Sequence, residues 1–328
     1  MLKTIIAIAA VSAPALADDF GAVKPLRPVS TYSIVARDAA TGEIGVAVQS
    51  HWFSVGASVP WAEAGVGAVA TQSFVEPAYG PRGLDAMRKG ADPAKALAAL
   101  IAKDENESVR QVGFVDAKGR VAAHTGSKAI VEACDLQGEG YSVQANLMAQ
   151  PTVCSAMAAA FEDGEGDLAE RLMLALEAAQ GEGGDIRGRQ SAAMVVVSGE
   201  KQKHPWEGRI IDLRVEDNPE PLVELRRLIV LGRAYNLMNA GDAAVTAGDM
   251  NAANKAYSAA SALAPDNHEM IFWRAVTLAS AGEVEASLPF FKQAFDAWPL
   301  WRELVARLPL SDILPDDPEL LETILAVK

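Results

Sequence analysis

Several residues in this chain have types and spacings that suit acyl-transfer chemistry. Asn146 follows a strand-like run and lies two residues beyond Gln144. A carboxamide N–H aimed at a reacting carbonyl stabilises the oxyanion that develops there, so Asn146 is a candidate oxyanion donor. The alternative is an asparagine that simply turns the chain. Asp185, Arg187 and Gln190 crowd a glycine-rich turn, Gly183-Gly184-Asp185-Ile186-Arg187-Gly188. A guanidinium presents a planar fork to a carboxylate, which makes Arg187 a candidate substrate anchor with Asp185 orienting it and Gln190 beside it. An Asp–Arg clamp closed on its own loop accounts for the same residues. Gln72 and His51 are expected to end adjacent inner-sheet strands, where side chains can point into a cleft, and His124 closes the strand of a hairpin; all three are candidate substrate contacts. Thr31 opens the first strand-like run, and strand alternation puts Ser33 on its face, so two hydroxyls share one side.

Other chemistries are disfavoured. The chain has four histidines, with no pair at the helical spacing of a zinc hydrolase, and two cysteines, too few for a four-thiolate metal site. The glycine-rich stretches at 138–140 and 181–184 lack the Lys-Ser/Thr of a phosphate loop, and no G-x-S-x-G nucleophile elbow is present. The acidic run 162–167 lacks EF-hand spacing and reads as a solvated loop. With 29 basic against 43 acidic residues the net charge is −14, which argues against nucleic-acid binding. No cofactor and no metal is implied.

The elements that must position these groups fall into four stretches. Residues 1–17 have a basic start, an apolar run too short to cross a bilayer and a small-residue site, Ala15-Leu16-Ala17; this is a signal-peptide pattern, implying a periplasmic or secreted protein and no membrane span. Residues 18–30 form an extended lead-in without periodicity. In the oxidising compartment so implied, Cys134 and Cys154 are free to pair or to remain buried thiols.

From 31 to 218, strand-like runs (31–38, 43–51, 65–73) precede helical ones (79–89, 92–103). A hairpin follows around Ala117-Lys118-Gly119, then a strand-to-loop passage at 140–147, two more helices (151–163, 167–180) and two late strands (190–198, 209–215). Strands, two helices, strands, two helices, strands make an α+β fold, most economically a four-layer α-β-β-α sandwich. Residues 219–328 form a small all-α helical-repeat domain. A long helix is expected over 221–237. Ala247-Gly248-Asp249 then recurs as Ala281-Gly282-Glu283, Ala260 as Ala294 and Pro265 as Pro299, each at an offset of 34 residues, the tetratricopeptide period. Such a repeat offers a surface for a protein partner or for self-association.

The middle domain also resembles a known family. Thr31-Tyr-Ser-Ile-Val-Ala-Arg-Asp38, Gly45-Val-Ala-Val-Gln-Ser50, Gly65-Val-Gly-Ala-Val-Ala-Thr-Gln72, Tyr79-Gly-Pro-Arg-Gly83, Gly119-Arg-Val-Ala-Ala-His-Thr-Gly126, Gln144-Ala-Asn-Leu147 and Gly184-Asp-Ile-Arg-Gly-Arg-Gln-Ser191 are similar to the bacterial domain of unknown function 1028. The similarity spans about 31 to 235, and the family is regarded as resembling N-terminal-nucleophile (Ntn) hydrolases. The resemblance implies the same sandwich and makes Thr31 the nucleophile, with its own free α-amine as base. Family members commonly begin with Met-Thr at this point. Here signal cleavage leaves Thr31 inside an amide, so either a second cut falls between Ser30 and Thr31 or the amine-dependent mechanism is absent. The activity so implied is hydrolysis of a small amide or short peptide-like substrate. Its rival is a non-catalytic binding or assembly protein that uses the helical repeat to recruit a partner.

Overall fold

A computed structural model describes residues 29–328. The signal-peptide reading and most of the lead-in lie outside these residues. The described chain divides after Leu222 into two compact units.

The first unit opens with β1 (Thr31–Arg37), β2 (Ile44–Ser50), β3 (Pro60–Glu63) and β4 (Gly67–Ser73), then α1 (Tyr79–Arg88) and α2 (Pro93–Ile101). β5 (Arg110–Asp116), β6 (Val121–Thr125), β7 (Cys134–Gly138) and β8 (Tyr141–Ala145) follow, then α3 (Val153–Asp163), α4 (Leu168–Gly181), β9 (Ser191–Val197) and β10 (Arg209–Val215). The strands form two sheets, ordered β10-β9-β2-β1-β8-β7 and β3-β4-β5-β6, with every pairing antiparallel. α3 and α4 cover the larger sheet, α1 and α2 the smaller, and the uncovered faces pack on each other. The result is the four-layer α+β sandwich expected from element order.

Two strands depart from expectation. β3 is short and begins at a proline, and β7 has the polar sequence CDLQG; neither contains a β-branched residue.

The space between the sheets is divided along its length. At one end Val35, Ile44, Val46, Val48 and Val195 meet Ala68, Ala70 and Val115 in a continuous apolar core. With the period of two, the same faces of the same strands carry Thr31, Ser33, Ser50, Gln72, Gln111 and Gln144 at the other end, all buried. Gly113 makes this possible. A Cβ there would lie 2.3 Å from Gln144 Nε2, so the bare backbone leaves room for the Gln144 amide, whose Oε1 accepts from Ser33 Oγ at 3.1 Å.

Behind the smaller sheet, a buried ion pair fixes the chain leaving β4. Arg110 Nε donates to Asp104 Oδ2 at 2.8 Å with both side chains 1% exposed, while Nη1 donates to the Phe74 carbonyl at 2.6 Å. The Tyr79 hydroxyl and the Asn106 N–H also donate to Asp104. Burial alone would raise the Asp104 carboxyl. The Arg110 guanidinium, the Asn106 N–H and the Tyr79 hydroxyl outweigh it and hold the carboxyl below its ordinary range.

Cys134 of β7 is disulfide-bonded to Cys154 of α3, which ties the edge of the larger sheet to the helix that covers it.

The second unit contains most of α5 (Pro221–Thr246), followed by α6 (Met250–Leu263), α7 (His268–Ser280), α8 (Val284–Ala297), α9 (Trp301–Val305) and α10 (Pro318–Leu325). α6 and α8 have equal lengths and begin 34 residues apart. Gly248 and Gly282, at φ 78° and 86°, end the helices before them at the same offset. α5 does not stop at Leu237 but runs on to Thr246. Gly241 lies inside it because a Cβ there would meet the Tyr257 ring at 2.3 Å, so close helix approach accounts for the glycine.

Two stability outcomes are expected. Replacing Cys134 and Cys154 by serine opens a link spanning 20 residues and should cost about 3 kcal/mol, read as a lowered urea midpoint that reduced wild type reproduces. Asp104→Asn breaks a buried pair and should cost about 3–5 kcal/mol at neutral pH. Because the folded Asp104 pKa is depressed, its contribution is complete above the ordinary carboxylate pKa of about 4 and is lost as pH falls through the lower folded value. The gap between variant and wild type in urea melts should therefore narrow below about pH 4.

Candidate functional site

The polar end of the inter-sheet space is organised by Gln111. Its register in β5 sets it opposite Gln72 of β4 and Thr125 of β6. Its Oε1 accepts from Gln72 Nε2 at 2.7 Å and from Asn146 Nδ2 at 2.9 Å. Its Nε2 donates to Thr125 Oγ1, the Cys134 carbonyl and the Ala145 carbonyl at 2.9–3.1 Å. One side chain thus joins the two sheets and orients two carboxamides. Both then turn to the same atom: the Thr31 carbonyl accepts from the Asn146 backbone N–H at 3.1 Å and from Gln72 Nε2 at 3.2 Å, with Asn146 Nδ2 at 3.5 Å.

The peptide bond before Thr31 is held as firmly. The Ser30 carbonyl accepts from Ser50 Oγ at 2.5 Å and from Arg187 Nη2 at 2.9 Å. Ser50 reaches it because β1–β2 pairing sets Ser50 directly opposite Thr31. The Thr31 hydroxyl lies 2.7 Å from the Val29 carbonyl and 3.2 Å from Ser50 Oγ. Thr31 itself is fully buried. Two donors on a carbonyl, with a hydroxyl on the next residue, form a set suited to nucleophilic attack on that carbonyl.

The same region holds polar atoms with no partner. Ser30 Oγ, Ser73 Oγ, Gln72 Oε1 and Asn146 Oδ1 are all buried and unbonded, as is His51 Nδ1. Buried groups of this kind are uncommon in folded proteins, and these gather around the Ser30–Thr31 peptide. Ser73 and Leu147, which directly follow Gln72 and Asn146, have φ of 68° and 59°. Non-glycine residues in this region carry strain, and here both strained positions aim a carboxamide at Thr31.

Arg187 is presented by the loop between α4 and β9. Gly184 has φ 58°, and its carbonyl accepts from Ala149 N, which fastens the loop to the chain beyond β8. Asp185 is 2% exposed. Its carboxylate grips Arg187 through Nε at 3.0 Å and Nη2 at 2.7 Å, and also accepts from the backbone N–H groups of Arg187 and His51. The fork of Arg187 is thus engaged by Asp185, leaving Nη2 to reach the Ser30 carbonyl as well.

The structure therefore brings Thr31, Asn146, Gln72, Asp185 and Arg187 into one cluster, with His51 joined to it through its backbone N–H; Gln72 and His51 come from strands of opposite sheets and not from adjacent strands, because β4 pairs with β3 and β5 while β2 pairs with β1 and β9. It does not bring Gln190 or His124 there. The Gln190 side chain points outward to Asp217, with only its backbone N–H on the Ser50 carbonyl. His124 lines the space between β6 and α2, with Nε2 against the Glu107 carbonyl and carboxylate. It lies next to Thr125, which faces Gln111, so strand alternation turns its ring away from the cluster. Ser50 and Gln111 are the members that sequence reasoning passed over. Their signal is a polar residue at the same end of each inner strand, visible only once register is known.

Comparison with known proteins agrees with this architecture. No curated protein matches the chain. The crystal structure of a Silicibacter pomeroyi protein assigned to domain of unknown function 1028 is similar at a TM-score of 0.55 and 29% identity, covering 61% of this chain and 88% of that one. The family model for that domain, a family of unknown function, matches residues 31–225, from Thr31 through the whole cluster to the start of α5. On that match the chain belongs to the DUF1028 family.

Proposed function

We propose that this protein is an amidohydrolase of the N-terminal-nucleophile kind that first cuts its own Ser30–Thr31 bond. The observation that carries this reading is the pair of donors, Ser50 Oγ and Arg187 Nη2, on the carbonyl of the residue before a buried threonine hydroxyl. In the cut, Thr31 Oγ1 bonds to the Ser30 carbonyl carbon and the C–N bond breaks. The hydroxyl proton passes to the Thr31 nitrogen, which leaves as an amine. Ser50 and Arg187 hold the oxyanion of the tetrahedral intermediate. Water then hydrolyses the Ser30 ester to a carboxylate and frees Thr31.

The freed residue has what a catalytic nucleophile needs. An α-amine with a reference pKa of about 7.7–8.0 serves as the base for its own hydroxyl. The donors that held Ser30 then face the acyl group of whatever takes its place, and the Asn146 carboxamide lies beside the nucleophile. Arg187, its fork held by Asp185, offers Nη2 to the substrate. The substrate class is a small amide or short peptide-like molecule. The Cys134–Cys154 disulfide supports action in an oxidising compartment, in keeping with a periplasmic or secreted protein.

A second reading is favoured by the complete burial of Thr31. In it the same cluster is structural, and the protein is a non-catalytic binding or assembly component.

A screen of small N-acyl amino acids and of cyclic and linear amides separates the two. Thr31→Ala should abolish turnover while leaving the melting temperature nearly unchanged. Asn146→Ala should lower kcat by roughly 10²–10³ if its amide donates to the oxyanion. Arg187→Lys keeps the charge but loses the fork that Asp185 holds, so Nη2 is no longer positioned and KM should rise across the amides tested. Turnover that survives Thr31→Ala at the wild-type rate excludes Thr31 as nucleophile. A protein that turns over no amide, with Ser30–Thr31 intact, is the outcome of the second reading.

A further inference from the structure

The second unit carries a track of three adjoining hollows on one face. The first, about 270 Å³, is lined by Tyr235, Met238, Asn239, Asp242, Glu269, Met270 and Trp273. The next, about 290 Å³, shares Asp242 and Trp273 with it and runs along Thr246, Val276, Thr277 and Ser280 to Ile313. The third, about 350 Å³, shares Ser280 and ends at Asp317 and Glu319. α5 and α7 form the floor of the first two hollows, and the third runs from the end of α7 to the start of α10.

The lining has a consistent chemistry. Its charged members are Asp242, Glu269, Asp317 and Glu319, and among the described residues no lysine or arginine lines any of the three hollows. The carboxylates are fixed in place: Asp242 Oδ1 accepts from the buried Tyr257 hydroxyl at 2.7 Å, and Glu269 Oε2 from the Tyr235 hydroxyl at 2.7 Å. Asp317 caps α10 by accepting from the N–H groups of Glu319 and Leu320. Between the charges lie Tyr235, Trp273 and Ile313, of which Tyr235 and Ile313 are more than a third exposed. Aromatic and aliphatic surface alternating with anchored carboxylates suits an elongated ligand whose cations and apolar groups alternate. A compact ion would engage one carboxylate and leave the rest of the track empty.

We propose that this track binds an extended segment of another polypeptide in which lysine or arginine alternates with apolar side chains. The inference goes beyond the amide chemistry of the first unit, and neither depends on the other.

The test uses the full chain and a fluorescent peptide, acetyl-Lys-Leu-Lys-Leu-Lys-Leu-amide, followed by anisotropy at two salt concentrations. Saturable binding that weakens with salt is expected, at least ten-fold tighter than that of a Glu-Leu peptide of equal length. Glu269→Lys with Glu319→Lys, which reverses charge at both ends of the track, should weaken binding ten-fold or more. Glu285→Lys with Asp296→Lys, equal in charge change but on α8, should leave it within two-fold. Hydrogen exchange in the wild-type complex should show protection of the α7 face independently of any variant. Equal loss in both double variants would reduce the effect to net charge and overturn the proposal. So would equal affinity for the Glu-Leu peptide, affinity for spermine equal to that for the peptide, or the absence of saturable binding.

Discussion

A carboxamide buried between two sheets loses stability for each donor or acceptor it leaves without a partner, and of Gln72, Gln111 and Asn146 only Gln111 bonds through both its oxygen and its nitrogen. In this protein that constraint falls on Gln111. Its oxygen serves Gln72 and Asn146, and its nitrogen serves Thr125 and the carbonyls of β7 and β8. Gln72 and Asn146 in turn fix the Thr31 carbonyl. The position of Thr31 is therefore set by a chain of bonds that begins in the opposite sheet. Because each group polarises the next in a medium of low dielectric, the set behaves as one unit. The valines at the other end of the same strands keep the sheets at the spacing the chain of bonds requires.

The supports of this end lie outside it. Arg110 neighbours Gln111 in sequence but points to the helix side, where Asp104 holds it while it ties down Phe74, just beyond Ser73. The disulfide secures β7, whose Cys134 carbonyl accepts from Gln111. Asp185 closes on Arg187 and the His51 N–H, joining the α4–β9 loop to the end of β2. Each device restrains a segment carrying a member of the cluster, so geometry around the Ser30–Thr31 peptide is over-determined. That is how residues such as Ser73 and Leu147 are kept in unfavourable backbone regions.

Much of this was readable in the residues alone, for physical reasons. β1, β2, β4, β5 and β9 are rich in β-branched residues, and α2 and α4 have aspartate caps, so element order and the layered fold follow from local preference. β3 and β7 escaped because their pairing is decided by neighbours rather than by their own composition. α5 extends past Leu237 because Gly241 sits inside it against the Tyr257 ring and does not end the helix. Asn146, Gln72, Asp185 and Arg187 stood out by type and by neighbouring glycines. Ser50 and Gln111 did not, because a single serine or glutamine in a strand has no mark of its own; only register sets Ser50 across from Thr31 and Gln111 across from Gln72. His124 misled for the complementary reason, since strand alternation decides which face a residue takes and a shift of one reverses the answer.

The central claim is that the Ser30–Thr31 peptide is held for attack by the hydroxyl beside it. Intact mass and N-terminal sequencing of freshly purified and long-incubated protein, wild type beside Thr31→Ala, tests it most directly. The account requires a wild-type species whose first residue is Thr31, accumulating without added protease, and no such species from Thr31→Ala. A wild-type chain that keeps the Ser30–Thr31 bond throughout, or a Thr31→Ala chain cut there equally fast, would contradict it.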